Sequence, residues 1–241
     1  MKVMTYERSN TVNAQVNELA GFNMRAREIA RFNMIEQQIR TWEVLDPIVL
    51  DLLALVPREK FVPEAYQGLA FADIELPIGH GQTMLSPKLE GRILQALDLK
   101  KNDKVLEIGT GCGYFTALLA SLAAEVVSVE INAELSQLAA KNLSQLQLAN
   151  ITLEVGDAAN GWDKQAPYNA IVYTGSLPIE PPDLRKNMAI GGCLFVVLGE
   201  APVMQATLIR RVSETGYLQD VLFETCLPQL INAKQPPRFE F

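Results

Sequence analysis

Apolar positions change their period twice along this 241-residue chain. From Phe32 to Val56 they recur at helical spacing, through Ile35, Ile39, Trp42 and Leu45, then Val49, Leu52, Leu53 and Val56. Asp46-Pro47 interrupts the stripe and restarts it as a second helix. The whole stripe, Trp42 included, reads as core packing. Before it, residues 1–31 are polar and mixed in charge and predict a helical or frayed extension. Phe61 to Thr83 is rich in Pro and Gly, which predicts a loop-dominated and functional stretch. Ser86-Pro87 then opens a helix, serine as cap and proline at the first position, running through Leu89, Ile93, Leu94 and Leu97 to Asp98.

From Asp103 onward short apolar runs alternate with helical patterns. Strands are predicted at 104–108, 125–130, 151–155, 169–173, 193–198, 206–211 and 220–226, and helices at 114–122, 133–147 and 181–188. Such alternation predicts an α/β fold, a Rossmann-like doubly wound sheet, mostly parallel and covered on both faces. The strand-rich tail adds an antiparallel C-terminal edge, and the stripe before residue 100 adds an N-terminal helical region. One domain over 32–241 follows, with 32–100 helical and loop-rich and 101–241 forming the α/β core.

Composition narrows the classes. Hydrophobic residues at 49% and charged residues at 20% describe a globular chain. A net charge of -7 with no basic run argues against a sequence-independent grip on nucleic acid. No apolar stretch reaches membrane-spanning length, and Glu7, Arg8, Asn10 and Asn13 break any signal-peptide core. Cys112, Cys193 and Cys226 lie far apart and His80 is the one histidine, which disfavours a zinc site or a histidine triad. A reducing, cytoplasmic setting is expected.

The chemistry concentrates in Val105-Leu-Glu-Ile-Gly-Thr-Gly-Cys-Gly-Tyr114 and in Glu130. An apolar strand runs into a loop with Gly109, Gly111 and Gly113 at alternate positions, where backbone can approach a ligand closely. Glu130 ends the next strand, placed to accept from ribose hydroxyls. A dinucleotide fingerprint would need glycine at 114, where Tyr114 stands. The spacing E-x-G-x-G-x-G, Glu107 to Gly113, resembles that of S-adenosylmethionine-dependent methyltransferases. On that likeness Glu107, Gly109, Thr110, Gly111, Cys112 and Gly113 form the cofactor loop, and Glu130 with Ile131 meets the ribose. Gly156-Asp157-Ala158 follows the third strand at the sheet's carboxyl edge. Asp157 there either accepts from the adenine amino group or closes a turn. Thr174 starts another loop at the same edge.

With these elements placed, residues from about Phe32 to Pro228 resemble the protein-L-isoaspartate O-methyltransferase family, of the class I methyltransferase type. The likeness is carried by Met34-Ile-Glu-Gln-Gln-Ile-Arg40, Val56-Pro-Arg-Glu-Lys-Phe-Val-Pro63, Leu76-Pro-Ile-Gly-His-Gly-Gln-Thr83, Val105 to Tyr114, and Gly156-Asp157. It implies S-adenosyl-L-methionine as cofactor and isoaspartyl-containing peptides or proteins as partners. Their abnormal α-carboxylate would be methylated for repair, with Thr83 and Ser86 orienting it. The family usually reads Gly-Gln-Thr-Ile-Ser-x-Pro, whereas this chain has Leu85 at the serine's place and Ser86 one position on. Ser86 either replaces that serine or serves only as the helix cap. Leu227-Pro-Gln229 likewise departs from the family's Val-Pro-Leu.

Overall fold

The computed structural model describes residues 24–237. Its centre is a seven-stranded sheet in the order β5-β4-β3-β6-β7-β8-β9. The strands are β3 (Lys104–Ile108), β4 (Glu125–Glu130), β5 (Ile151–Val155), β6 (Tyr168–Leu177), β7 (Met188–Glu200), β8 (Val203–Arg211) and β9 (Tyr217–Thr225). The first five in sheet order run parallel, and β8 and β9 add antiparallel. Strands β3, β4 and β6 are buried on both faces, which is why they read as near-continuous apolar runs.

The two faces are covered differently. Val105, Val126, Ala170 and Val172 face helices α1 (Pro47–Leu55), α2 (Pro87–Leu97), α3 (Tyr114–Leu122) and α4 (Ala133–Leu143), all within one apolar cluster. Leu106, Val127, Ile171 and Tyr173 point the other way, into a second cluster with Ala158, Leu184, Met188 and Ala233. That face is closed by turns and by the C-terminal segment, so the expected helix at 181–188 is absent. Residues 182–187 form successive turns, with Leu184 bonded to Pro181, Lys186 to Asp183 and Met188 to Arg185. Pro181 and Pro182 withhold two amide donors, and six residues before a strand are too few to nucleate a helix there.

Ahead of the sheet, the chain is helical over 24–33, π-wound over Met34–Ile39 and tightened over Arg40–Trp42. Glu43 then turns left-handed at φ 62, and together these changes of winding rotate the predicted stripe. Ile35, Ile39, Val49 and Leu53 are buried, while Trp42 and Leu45 are exposed at 46% and 66%. Trp42 is not core; the Lys88 ammonium lies 4.3 Å from its ring centre. Asp46 caps α1 by accepting from the Ile48 amide at 2.8 Å, with Pro47 at the first position. The stretch expected as loop holds a hairpin, β1 (Leu76–Gly79) and β2 (Gln82–Met84), turned by His80 and Gly81 at φ 53 and 72. Ser86 does sit at the cap of α2, but its side chain makes no capping bond.

Arg58 ties these segments together. It is 1% exposed, and its guanidinium donates to the carbonyls of Ala70 at 2.9 Å and Leu85 at 2.6 Å and to the Glu90 carboxylate. Its carbon centre lies 5.0 Å from the Tyr114 ring centre. A buried cation is tolerated only when its donors are matched in this way. Glu90→Ala should therefore destabilise the protein by about 3–5 kcal/mol, because it strands the Arg58 charge. The double variant Arg58→Met with Glu90→Leu should recover a large part of that loss in urea unfolding. A Glu90→Ala midpoint equal to the parent's would show that the pair carries no stability.

Candidate active site

The glycine loop leaves β3 with Gly109, Gly111 and Gly113 all at positive φ. At Gly109 close approach demands glycine as well, since a Cβ there would lie 2.2 Å from Thr174 Oγ1. The Thr174 hydroxyl is within donating distance of the carbonyls of Ile108 at 2.9 Å and Gly109 at 2.8 Å, so β6 braces the loop from below. From above, the β1–β2 hairpin leans on it, with Ile78 Cδ1 3.1 Å from where a Gly111 Cβ would stand.

A chain of hydroxyls locks the loop to the sheet. Thr110 and Ser128 share a bond of 2.6 Å, Ser128 donates to Glu107 Oε2 at 2.6 Å, and Thr116 of α3 donates to the same oxygen at 2.5 Å. Glu107 is fully buried, and burial pushes its carboxyl up to about 8 against the pull of the two hydroxyls. The neighbouring acid behaves differently. Glu130 Oε2 accepts from the Gly111 amide at 2.9 Å and Oε1 from the Asn132 amide at 3.0 Å. Asn132 in turn caps α4 through the amides of Glu134 and Leu135. Both Glu130 oxygens are thus oriented by backbone, and each keeps a free lone pair.

Above these groups lies a cleft open to solvent. Gly109, Gly111, Glu130, Ile131, Asp157, Ala158 and Thr174 line it together with Thr83. The other predicted residues sit elsewhere. Glu107 lies beneath the loop, and Thr110 and Cys112 line a smaller adjoining cavity with Tyr114 and Glu90. Gly113 packs into the α3–α4 contact, where a Cβ would meet Ala139 at 3.1 Å. Ser86 lines a separate groove with Trp42, Lys88 and Arg92, while Leu85 borders the cleft. Thr83 donates its hydroxyl to Glu75 at 3.1 Å.

Several wall residues lie outside the predicted site residues. Ile78 and Leu135 contribute apolar surface, and Pro228 to Ile231 of the C-terminal segment close one side. The signal available for that segment was its place directly after the last strand, at Leu227-Pro228. The donor set fits a nucleoside: an anchored carboxylate for ribose hydroxyls, a second carboxylate at Asp157, and Ile131, Val129 and Leu135 between them.

Comparison with known proteins settles the descent. The protein-L-isoaspartate(D-aspartate) O-methyltransferase family matches residues 30–227. The chain belongs to this family. It is 44% identical over 156 residues to the protein-L-isoaspartate O-methyltransferase of a Picosynechococcus species, covering 65% of this chain and 70% of that one. With protein-L-isoaspartate O-methyltransferase 1 of Geotalea uraniireducens it shares 39% over 191 residues, 79% of this chain and 87% of the relative. A solved protein-L-isoaspartate O-methyltransferase superposes with a TM-score of 0.73 at 22% identity, covering 84% of this chain and 66% of that one, which shows the shared fold.

Two measurements probe the site. Glu130→Ala should weaken binding of an adenosyl ligand by more than about 1 kcal/mol, since ribose donors lose their acceptor; unchanged affinity in calorimetry would refute that role. Glu107 keeps its proton up to about 8 in the folded state against an ordinary value of 4.5. The folded protein thus holds a proton the unfolded chain has released, and stability falls as pH rises through that window. Glu107→Gln cannot ionise, so its stability relative to the parent should improve steadily between about pH 5 and about pH 9. Parallel urea-unfolding profiles would contradict the assignment.

Proposed function

We propose that this member of the family transfers a methyl group from S-adenosyl-L-methionine to the α-carboxylate of L-isoaspartyl residues in damaged polypeptides. The observation that carries the reading is that the Gly109–Glu130 clamp and Thr83 line one cleft. A donor held by the first faces an acceptor held by the second. A Plasmodium falciparum protein assigned to the same family, 20% identical over 83% of this chain with a TM-score of 0.69 and covered over 97% of its own length, was solved with S-adenosyl-L-homocysteine. That ligand class suits the cleft described above.

The bound cofactor would supply an electrophilic methyl on sulfonium sulfur. What the chain itself does follows from the acceptor. A carboxylate with a pKa of about 4 is already ionised at neutral pH and needs no general base. The protein's tasks are to align the partners and exclude water. Glu130 and Asp157 hold the nucleoside, and the backbone of Gly109 to Gly111 borders the methionine end. Thr83 orients the acceptor by rotating its hydroxyl from Glu75 onto a carboxylate oxygen. Leu85 supplies apolar wall beside it. None of the helices formed by the described residues is long and apolar enough to cross a membrane. The three cysteines are unpaired, and a cytoplasmic setting completes the proposal.

Incubation with labelled cofactor and an isoaspartyl peptide should yield base-labile methyl esters. Cofactor binding without transfer to that peptide would overturn the acceptor. Thr83→Val should lower turnover by about tenfold or more while leaving cofactor affinity unchanged, since it deletes one donor to a charged group. Leu85→Ser, adding a hydroxyl beside Thr83, should raise turnover on the same peptide; a loss would show that the apolar wall is required.

A further inference from the structure

The C-terminal segment that closes the cleft is held at two places of different kind. Upstream the hold is on β6. The Ser176 amide donates to the Pro228 carbonyl at 2.9 Å, the Leu230 amide donates to the Ser176 carbonyl at 3.0 Å, and Ser176 Oγ donates to Leu227 at 2.9 Å. Residues 227–230 thereby lie beside the end of β6, with a single parallel bridge between Ser176 and Gln229. Leu230 packs where Gly175 leaves room, since a Cβ there would meet Leu230 Cδ2 at 2.8 Å. Downstream, Ala233 is buried in the apolar cluster on the turn-covered face.

Between these anchors Asn232 takes the left-handed conformation at φ 63 and donates from Nδ2 to Asp157 Oδ2 at 2.8 Å. Among the described residues, this is the only hydrogen bond from residues 231–237 to any part of the chain before 228. The other oxygen, Asp157 Oδ1, accepts from the Ala159 amide at 3.1 Å. Ala159 fixes one end of the carboxylate and Asn232 the other, so the Asp157 side chain cannot turn without breaking its bond to the C-terminal segment.

We infer that Asn232 is a positioning residue: its bond to Asp157 latches the C-terminal segment across the cleft and sets the carboxylate for the amino group of an adenine base. The inference rests on the adenosyl-cofactor reading of the cleft. Asp157 lines the cleft with each oxygen held by one donor, and an anionic acceptor favours a base edge that donates. An adenine amino group satisfies it, whereas the 6-oxo group of hypoxanthine places oxygen against oxygen and is rejected. The same bond must break for the segment to lift, so the latch couples base recognition to ligand release. Loss of the latch should therefore speed release and blunt base discrimination together, a pairing that a purely structural contact would not produce.

The test compares binding of S-adenosylhomocysteine and S-inosylhomocysteine to the full chain and to Asn232→Ala and Asn232→Asp, by calorimetry and stopped-flow. Asn232 is exposed, so both variants should fold. Asn232→Ala should release S-adenosylhomocysteine about tenfold faster, the scale of one hydrogen bond to a charged group, and should shrink the preference for adenine over hypoxanthine. Asn232→Asp sets two carboxylates together and should release the ligand faster still at neutral pH, returning toward the parent rate as acid protonates the pair. Tight binding by the parent with release and base preference unchanged in both variants overturns the latch alone. Absence of S-adenosylhomocysteine binding by the parent overturns the cofactor reading and the latch with it.

Discussion

A single buried guanidinium holds the acceptor side of this protein to its cofactor side. Arg58 reaches Ala70, Leu85 and Glu90 and lies against Tyr114, the first residue of α3 after the glycine loop. A charge in that position is unfavourable by itself and is admitted because every partner is supplied from a different segment. The consequence is geometric. Leu85 borders the cleft, and its carbonyl cannot shift without leaving a donor of Arg58 unmatched. The loop expected from the Pro- and Gly-rich sequence is thereby made a fixed wall, with its hairpin resting on Gly111. Positioning at this side comes from a polar cluster buried behind the wall, so the cleft can keep apolar surface where a methyl group must pass.

The cofactor side is built by a different device. Glu107, Ser128 and Thr116 sit below the loop on the helix-covered face, and Glu130 sits at its lip. Alternation along the strands places Glu107, Ser128 and Glu130 on one face, and position along the strand then decides their roles. The acid within β3 is sealed and holds its proton, whereas the acid at the end of β4 meets two amides. Two glutamates of one sheet face thus differ in role: burial raises the carboxyl of the one, and two backbone amides orient the oxygens of the other toward the cleft's lip.

Legibility in the sequence followed the range of the interaction. Strands 104–108, 125–130 and 151–155 agree with β3, β4 and β5 because their apolar runs are bounded by Gly or charged residues nearby in the chain. Glycine spacing and the acid at 130 were readable for the same reason. Periodicity places Trp42 and Leu45 in the core because it registers neither the π-wound and tightened turns that carry Trp42 nor the left-handed Glu43 that redirects the chain before Leu45. Pro181-Pro-Asp-Leu-Arg185 predicts a helix over 181–188, but the two prolines and the start of β7 at Met188 divide that stretch into turns. Glu107 carries the motif yet lies beneath the cleft, since a motif gives identity and spacing but not depth. The pairing of Asp157 with Asn232 spans 75 residues and leaves no local signature.

The two hydroxyls proposed to orient the acceptor show how one residue of register decides a role. Thr83 and Leu85 share a parity on the segment leading from β2 into α2, and both border the cleft; Ser86, of the other parity and in extended backbone, borders the groove with Lys88 and Arg92. A shift of one position along extended chain moves a side chain to the opposite side. Ser86 therefore cannot stand in for a serine at 85 by a change of rotamer. Bringing it to the cleft would require turning the backbone at 85, which Arg58 holds through the Leu85 carbonyl. On the proposed function, the orienting of a carboxylate is left to Thr83 and the backbone around it, with Leu85 as the apolar wall beside them.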